Sequence, residues 1–160
     1  MPLQYAIALW HPIQRKKQRL QEKNTPLAHP NPPTFGTEIK ILPMIHDLKS
    51  LVDTFNQYID NNMFAEALNF FYRDDMISVD NDAAPIRGRQ EMLELTSAFL
   101  ESTRNFSTRV INTLVSDHIS VVERVYSFDM PEGGHYHFKQ VSIQQWADAK
   151  IWHERHIYSL

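Results

Sequence analysis

Three side chains of this 160-residue chain are suited to moving a proton: Asp80, Glu154 and His156. A carboxylate becomes a general base near neutral pH when an apolar setting raises its pKa, and an imidazole titrates there unaided. Glu154 and His156 stand two apart in Val141 to Tyr158, a stretch holding two of the three tryptophans and two of the eight histidines. Two apart on a strand means one shared face. The pair therefore has the spacing of an acid/base couple, or of a carboxylate fixed by a neighbouring His or Arg for structure. Asp80 ends a short apolar run, Met76-Ile-Ser-Val-Asp80, where it is either a base or a strand-end residue bonding the loop to Asn81.

The turn between the last two strands decides which residues join that face. Ala147-Asp148-Ala149 suits a three-residue loop, a type I turn followed by one left-handed residue. In that register Trp146 opposes Lys150, Gln144 opposes Trp152, and Ser142 opposes Glu154. Ser142, Gln144, Trp146, Trp152, Glu154 and His156 then share one half-polar, half-aromatic face, more a pocket wall than a dry core. Tyr136, Phe138, Trp146, Trp152 and Tyr158 are candidates for a hydrophobic floor, or for ordinary sheet core and interface.

Other chemistries find little footing. There is no cysteine, so disulfides, thiolate nucleophiles and thiolate-held zinc are excluded. His135 and His137 share a strand face, but His153 falls at the far end of the hairpin, and a metal needs three or four ligands at one point. His153-Glu-Arg-His156 has two intervening residues where the helical zinc signature has three. The four glycines, Gly36, Gly88, Gly133 and Gly134, form no phosphate loop, and no Ser-His-Asp set follows from spacing. We expect no metal and no cofactor.

The elements that must position these residues begin after a composition break. Residues 1–43 carry six Lys/Arg against two Glu and seven of the nine prolines; with −3 for the whole chain, residues 44–160 carry −7. The first part reads as a Pro-rich basic extension, flexible or not native, rather than a nucleic-acid-binding arm. Its charges follow its short apolar stretch, the reverse of a signal peptide, and no apolar run is long enough to span a bilayer. We expect a cytoplasmic protein with no nucleic-acid or membrane partner, although the lack of cysteine fits export equally well.

Within 44–160, Leu48, Leu51, Val52, Phe55 and Ile59 recur at helical spacing. A shorter helix carries Phe64, Ala67, Leu68 and Phe71, and a third runs from Arg89 to about Ser102. After Arg104 the period changes to two, predicting strands at roughly 106–116, 119–130, 135–146 and 151–158. The fold class is α+β: a curved antiparallel sheet of about four long strands plus one short strand, wrapped around three helices as a cone-shaped α+β barrel.

This order, with Tyr72-Arg-Asp-Asp-Met-Ile-Ser-Val-Asp80, Pro85-Ile-Arg-Gly-Arg-Gln-Glu-Met92, Val141-Ser-Ile-Gln-Gln-Trp146 and Asp148-Ala-Lys-Ile151, resembles the nuclear transport factor 2-like, or cystatin-like cone, superfamily and its SnoaL-like branch. The resemblance covers 44–160 and implies fold more than function, because this fold hosts isomerases, cyclases, hydrolases and binding modules. Against the ketosteroid isomerase pattern, Asp80 falls on the general base. The oxyanion Tyr would fall near Phe55 or Asn56, with Tyr58 two or three residues on, and the second acid would fall at Ser142. The oxyanion hole is therefore mostly lost, and steroid isomerisation is not implied. The resemblance turns Glu154 into the cone. Where relatives carry Asp-Gly-Lys this chain has Asp148-Ala-Lys150, and a left-handed Ala costs about 1 kcal/mol relative to Gly.

Together these readings give a cone binding a small apolar molecule, with proton-transfer or water-addition chemistry on a carbonyl or polyketide-like ligand. Asp80, Glu154 and His156 would be catalytic, and Tyr58, Ser142, Gln144, Trp146 and Trp152 would bind the ligand. Two copies would pair through the outer sheet face. The alternative is a non-catalytic dimeric interaction module with a filled cone.

Overall fold

A computed structural model describes residues 47–159; the basic extension expected at 1–43 lies outside them. Helix α1 (Leu48–Asp60) starts where the Asp47 carboxylate accepts the Ser50 N–H at 2.7 Å, satisfying one of the free donors of the first turn. Its buried face is Val52, Phe55, Asn56 and Ile59, the apolar spacing interrupted by one amide. Asn62, at φ 60°, reverses the chain into helix α2 (Phe64–Phe71), which buries Ala67, Leu68 and Phe71. Strand β1 (Tyr72–Asp80), the two-residue strand β2 (Ile86–Arg87) and helix α3 (Arg89–Glu101) follow. Gly88, at φ 91°, makes the entry to α3, and its N–H donates to Met76 O at 2.8 Å.

Four long strands complete the chain: β3 (Arg104–Ser116), β4 (Ile119–Asp129), β5 (His135–Ala147) and β6 (Lys150–Tyr158). Among the described residues the α+β class and three helices are as expected, but the sheet has six strands in the order β2-β1-β6-β5-β4-β3, and it is mixed. The expectation of a wholly antiparallel sheet fails at one seam. β1 lies parallel to β6, because α3 and four strands intervene and carry the chain back to start β6 in the same direction. That seam pairs Ser78 with Glu154 and Asp80 with His156.

The inner face of the sheet is divided. Near the β5–β6 turn, Phe55, Phe71 and Trp146 meet edge-on at 5.6, 6.2 and 6.4 Å between ring centroids, around the fully buried Met76 and Ile151. Truncating Phe55 there would cost about 3–5 kcal/mol. At the opposite end a second aromatic group gathers Phe99, Phe106, Phe128, Phe138 and Tyr126. Polar side chains fill the band between them.

The closing hairpin departs from its expected register in two compensating ways. Asp148 and Ala149 both have positive φ, 52° and 60°, and Ala147 pairs directly with Lys150, so the loop has two residues, as a type I′ turn does. Continued unbroken, this register would place Glu154 outside. A bulge after the Trp146–Ile151 pair restores it: Gln145 pairs with His153, Gln144 with Glu154, and Ser142 with His156. Trp152 is the extra residue. It is 38% exposed and its ring lies against His153, so it does not join the inner face as the three-residue loop required; Ile151 takes that place.

Candidate functional site

Glu154 is the centre of the polar band and only 1% exposed. Its carboxylate accepts from Tyr72 Oη at 2.8 Å and Gln144 Nε2 at 3.3 Å on one oxygen, and from Ser78 Oγ at 3.3 Å on the other, which also lies 3.0 Å from His156 Nε2. A charge buried this deeply persists only when its lone pairs are taken up. Burial would raise the Glu154 pKa, but the charge of His156 and the hydrogen bonds from His156, Tyr72 and Gln144 hold it below the usual carboxylate value. His156 responds in the opposite sense. Burial disfavours its cation, yet Glu154 beside it, with Asp80 adding to the effect, pushes it up to about 9. The pair is therefore carboxylate and imidazolium at neutral pH.

The far side of each group is tied down as well. The His156 Nδ1–H donates to Ser142 Oγ at 2.8 Å, and the same oxygen accepts from Gln140 Nε2 at 3.1 Å. Beyond Gln144, a chain of donors crosses two strands: Trp146 Nε1 donates to Ser120 Oγ at 2.9 Å, and Ser120 Oγ donates to Gln144 Oε1 at 2.8 Å. Trp146, Gln144 and Glu154 are thus one connected network, and the Trp146 ring itself belongs to the core.

Asp80 stands apart from it. Its carboxylate has no hydrogen-bond or ion-pair partner among the described residues; only its backbone carbonyl is engaged, by the Ala83 N–H at 2.8 Å. The strand-end role open to it from sequence is not what its side chain does. Burial raises its pKa, the His156 charge lowers it, and Glu154 raises it again, with a net upward shift. Asn81 fixes its position. At φ 45° the chain leaves the sheet, but the Asn81 side chain continues the ladder, accepting the Tyr158 N–H at 3.1 Å and donating to Tyr158 O at 3.2 Å. The Asn81 N–H also donates to His156 O at 2.8 Å.

Of the residues singled out from sequence, Asp80, Ser142, Gln144, Trp146, Glu154 and His156 share the inner face. Trp152 is turned out, and Tyr58 packs elsewhere, its ring 6.0 Å from Phe70 and 5.7 Å from Phe71 on α2. Tyr72, Ser78, Ser120 and Gln140 were missed. Ser78, Ser120 and Gln140 stand at even spacing from Asp80, Val122 and Ser142 in their strands, a signal that period-two counting contains. Buried Arg124 was missed too: it pairs with Asp60 and donates to Asn56 Oδ1 at 2.7 Å, tying the end of α1 to β4. Among the described residues no three His, Asp or Glu side chains gather as a metal site requires, and no helix is long and apolar enough to cross a membrane.

Solved structures place this architecture. Its fold is the nuclear transport factor 2-like, ketosteroid isomerase-like fold, and its neighbours include SnoaL-like polyketide cyclases. A protein described as a SnoaL-like polyketide cyclase from Mesorhizobium loti superposes with a TM-score of 0.62 at 14% identity, over 70% of this chain and 99% of its own. A LEH-like epoxide hydrolase from M. tuberculosis gives 0.59 at 14%, over 70% and 82%. A ketosteroid isomerase-like protein from Catenulispora acidiphila, solved with trimethylamine, gives 0.59 at 14%, over 69% and 85%. At these identities the likeness is one of fold. No protein-family model and no curated protein matches the chain by sequence.

Proposed function

We propose that the inner face binds a small, largely apolar carbonyl or polyketide-like molecule and that Asp80 moves a proton on it. One observation carries this reading: two carboxylates lie on neighbouring strands, one fully bonded and one free. Glu154, with four partners and a depressed pKa, is a poor base. Asp80, unpartnered and raised, has the basicity and the vacant lone pairs that proton abstraction needs. In the step, the C–H bond beside the carbonyl breaks and its proton forms an O–H bond on Asp80. The electron pair moves onto the carbonyl oxygen as an enolate, and return of the proton to another carbon completes the reaction. The same base acting on a water gives addition, the chemistry suggested by likeness to an epoxide hydrolase. His156 offsets the growing negative charge, and Glu154 positions His156.

The test is exchange of α-protons for deuterium in small cyclic ketones and diketones, followed by NMR. Asp80→Asn should slow exchange by roughly 10²–10⁴-fold, the range of general base catalysis. Exchange that is equal in wild type and variant defeats the assignment.

A second reading keeps the fold and drops the chemistry. The saturation of Glu154 suits a filled cone, and the outer sheet face carries an apolar patch, with Leu114 71% exposed and Val121, Ile143 and Ile157 in the same layer. We propose that this face pairs two copies of the chain, in an enzyme or a binding module alike. Sedimentation should give a dimer that Leu114→Lys with Ile143→Lys dissociates; a wild-type monomer removes this proposal.

A further inference from the structure

Two phenols on the inner face have no role in the network around Glu154. Tyr126 on β4 and Tyr158 on β6 flank Phe138 on β5: Tyr126 stacks on it at 5.6 Å with 19° between planes, and Tyr158 leans on it at 5.6 Å and 47°. Neither hydroxyl has a hydrogen-bond partner among the described residues, and neither is sealed from open space as Thr108 Oγ1 and His153 Nδ1 are. A half-buried hydroxyl with neither protein partner nor enclosure is a donor held ready. Both phenols remain neutral: burial pushes each up to about 12, and the nearness of the Asp80 charge contributes to both. Asp80, Tyr126 and Tyr158 are thus three free polar groups within one electrostatic neighbourhood, beside the Phe138 ring.

We infer that Tyr126 and Tyr158 are the donors that receive the ligand's oxygen, so that the site takes a largely apolar ligand bearing an enolisable carbonyl or an acidic hydroxyl. The inference rests on the proton-transfer reading and supplies what that reading lacks, a place for the enolate oxygen. Phe55, Asn56 and Ser142 do not provide it: Phe55 is core, Asn56 serves Arg124, and Ser142 serves His156.

The probe is 2-naphthol, a planar hydroxyl compound whose fluorescence separates the neutral from the ionised oxygen. Wild type should bind it with naphtholate-like emission. Tyr126→Phe and Tyr158→Phe should each weaken binding by about tenfold or more, as loss of a hydrogen bond to a charged oxygen does. Asp80→Asn should tighten binding of the ionised probe by removing a like charge. Neither Phe variant should melt lower than wild type, because each hydroxyl has no protein partner to lose. No binding to wild type, wild-type affinity in both Phe variants, or a lowered melting temperature in both overturns the inference. Failure of the proton-transfer reading looks different: α-proton exchange is indifferent to Asp80→Asn while the tyrosine effects on 2-naphthol persist.

Discussion

Glu154 and His156, two residues apart on β6, face each other at 3.0 Å across a carboxylate–imidazole contact, with the histidine side chain 13% exposed. The contact fixes the charge on both groups, and it makes stability depend on pH. In the unfolded chain His156 titrates near 6.5; in the folded protein it titrates near 9. Its contribution is therefore complete below pH 6.5 and lost as pH rises through 9, with a magnitude on the order of 3 kcal/mol. Urea denaturation from pH 6 to 10 should show that decline. Glu154→Gln should remove most of it and lower stability at pH 7, since the imidazolium then loses its main counter-charge. A flat wild-type profile would show that the pair contributes nothing.

Arg124 is 3% exposed and holds Asp60 and Asn56 at the end of α1. Arg124→Ala removes a buried cation and leaves both partners without their donor, a change expected to cost about 3–5 kcal/mol. Arg124→Lys retains the charge but not the fork, and should fall between the two. Denaturant midpoints measure this directly; an Arg124→Lys protein as stable as wild type would reduce Arg124 to a point charge.

The hairpin shows what the sequence carries and what it hides. Alternation along β5 is uninterrupted, so Ser142, Gln144 and Trp146 were legible as one face. Along β6 the alternation breaks inside Ile151-Trp-His-Glu, where Trp152 bulges out, and no residue type announces it. A three-residue loop and a two-residue turn followed by a bulge give Glu154 and His156 the same inward face, so their placement was right while that of Trp152 was not. Arg124 was illegible for another reason. On β4 a buried Arg reads like an exposed one until α1 brings Asp60 and Asn56 to it. Tyr72 became visible only with the parallel seam between β1 and β6, a contact 82 residues long in sequence that no local pattern encodes.

Ala149 makes the turn at a local cost. Its φ of 60° is left-handed, and its neighbour Asp148 sits at 52°. Ala149→Gly relieves the Cβ contact and should stabilise the protein by about 1 kcal/mol, less the entropy that glycine adds to the unfolded chain. Asp148→Asn combined with Ala149→Gly supplies the pair favoured in type I′ turns and should stabilise further. Because the bulge at Trp152 lies beyond the turn, Glu154 stays inside, and the pH profile of the double variant should match that of wild type. Destabilisation by Ala149→Gly would mean that the turn has another geometry.

Asp80 offers the sharpest separation of stability from function. Its pKa is raised in the fold, chiefly by burial, so its ionised form is disfavoured there relative to the unfolded chain. The stability linked to it is present below the unfolded value of 3.8 and lost as pH rises through the folded value, which leaves an ionised, unpartnered carboxylate at neutral pH. Asp80→Asn removes that charge at constant shape. It should raise the melting temperature at pH 7, and the gain should shrink as pH falls towards 4, where the wild-type group is increasingly protonated. The same substitution should remove α-proton exchange. A residue held only for the fold would do the reverse, so a lower melting temperature in Asp80→Asn would return Asp80 to a structural role and leave the site without its base.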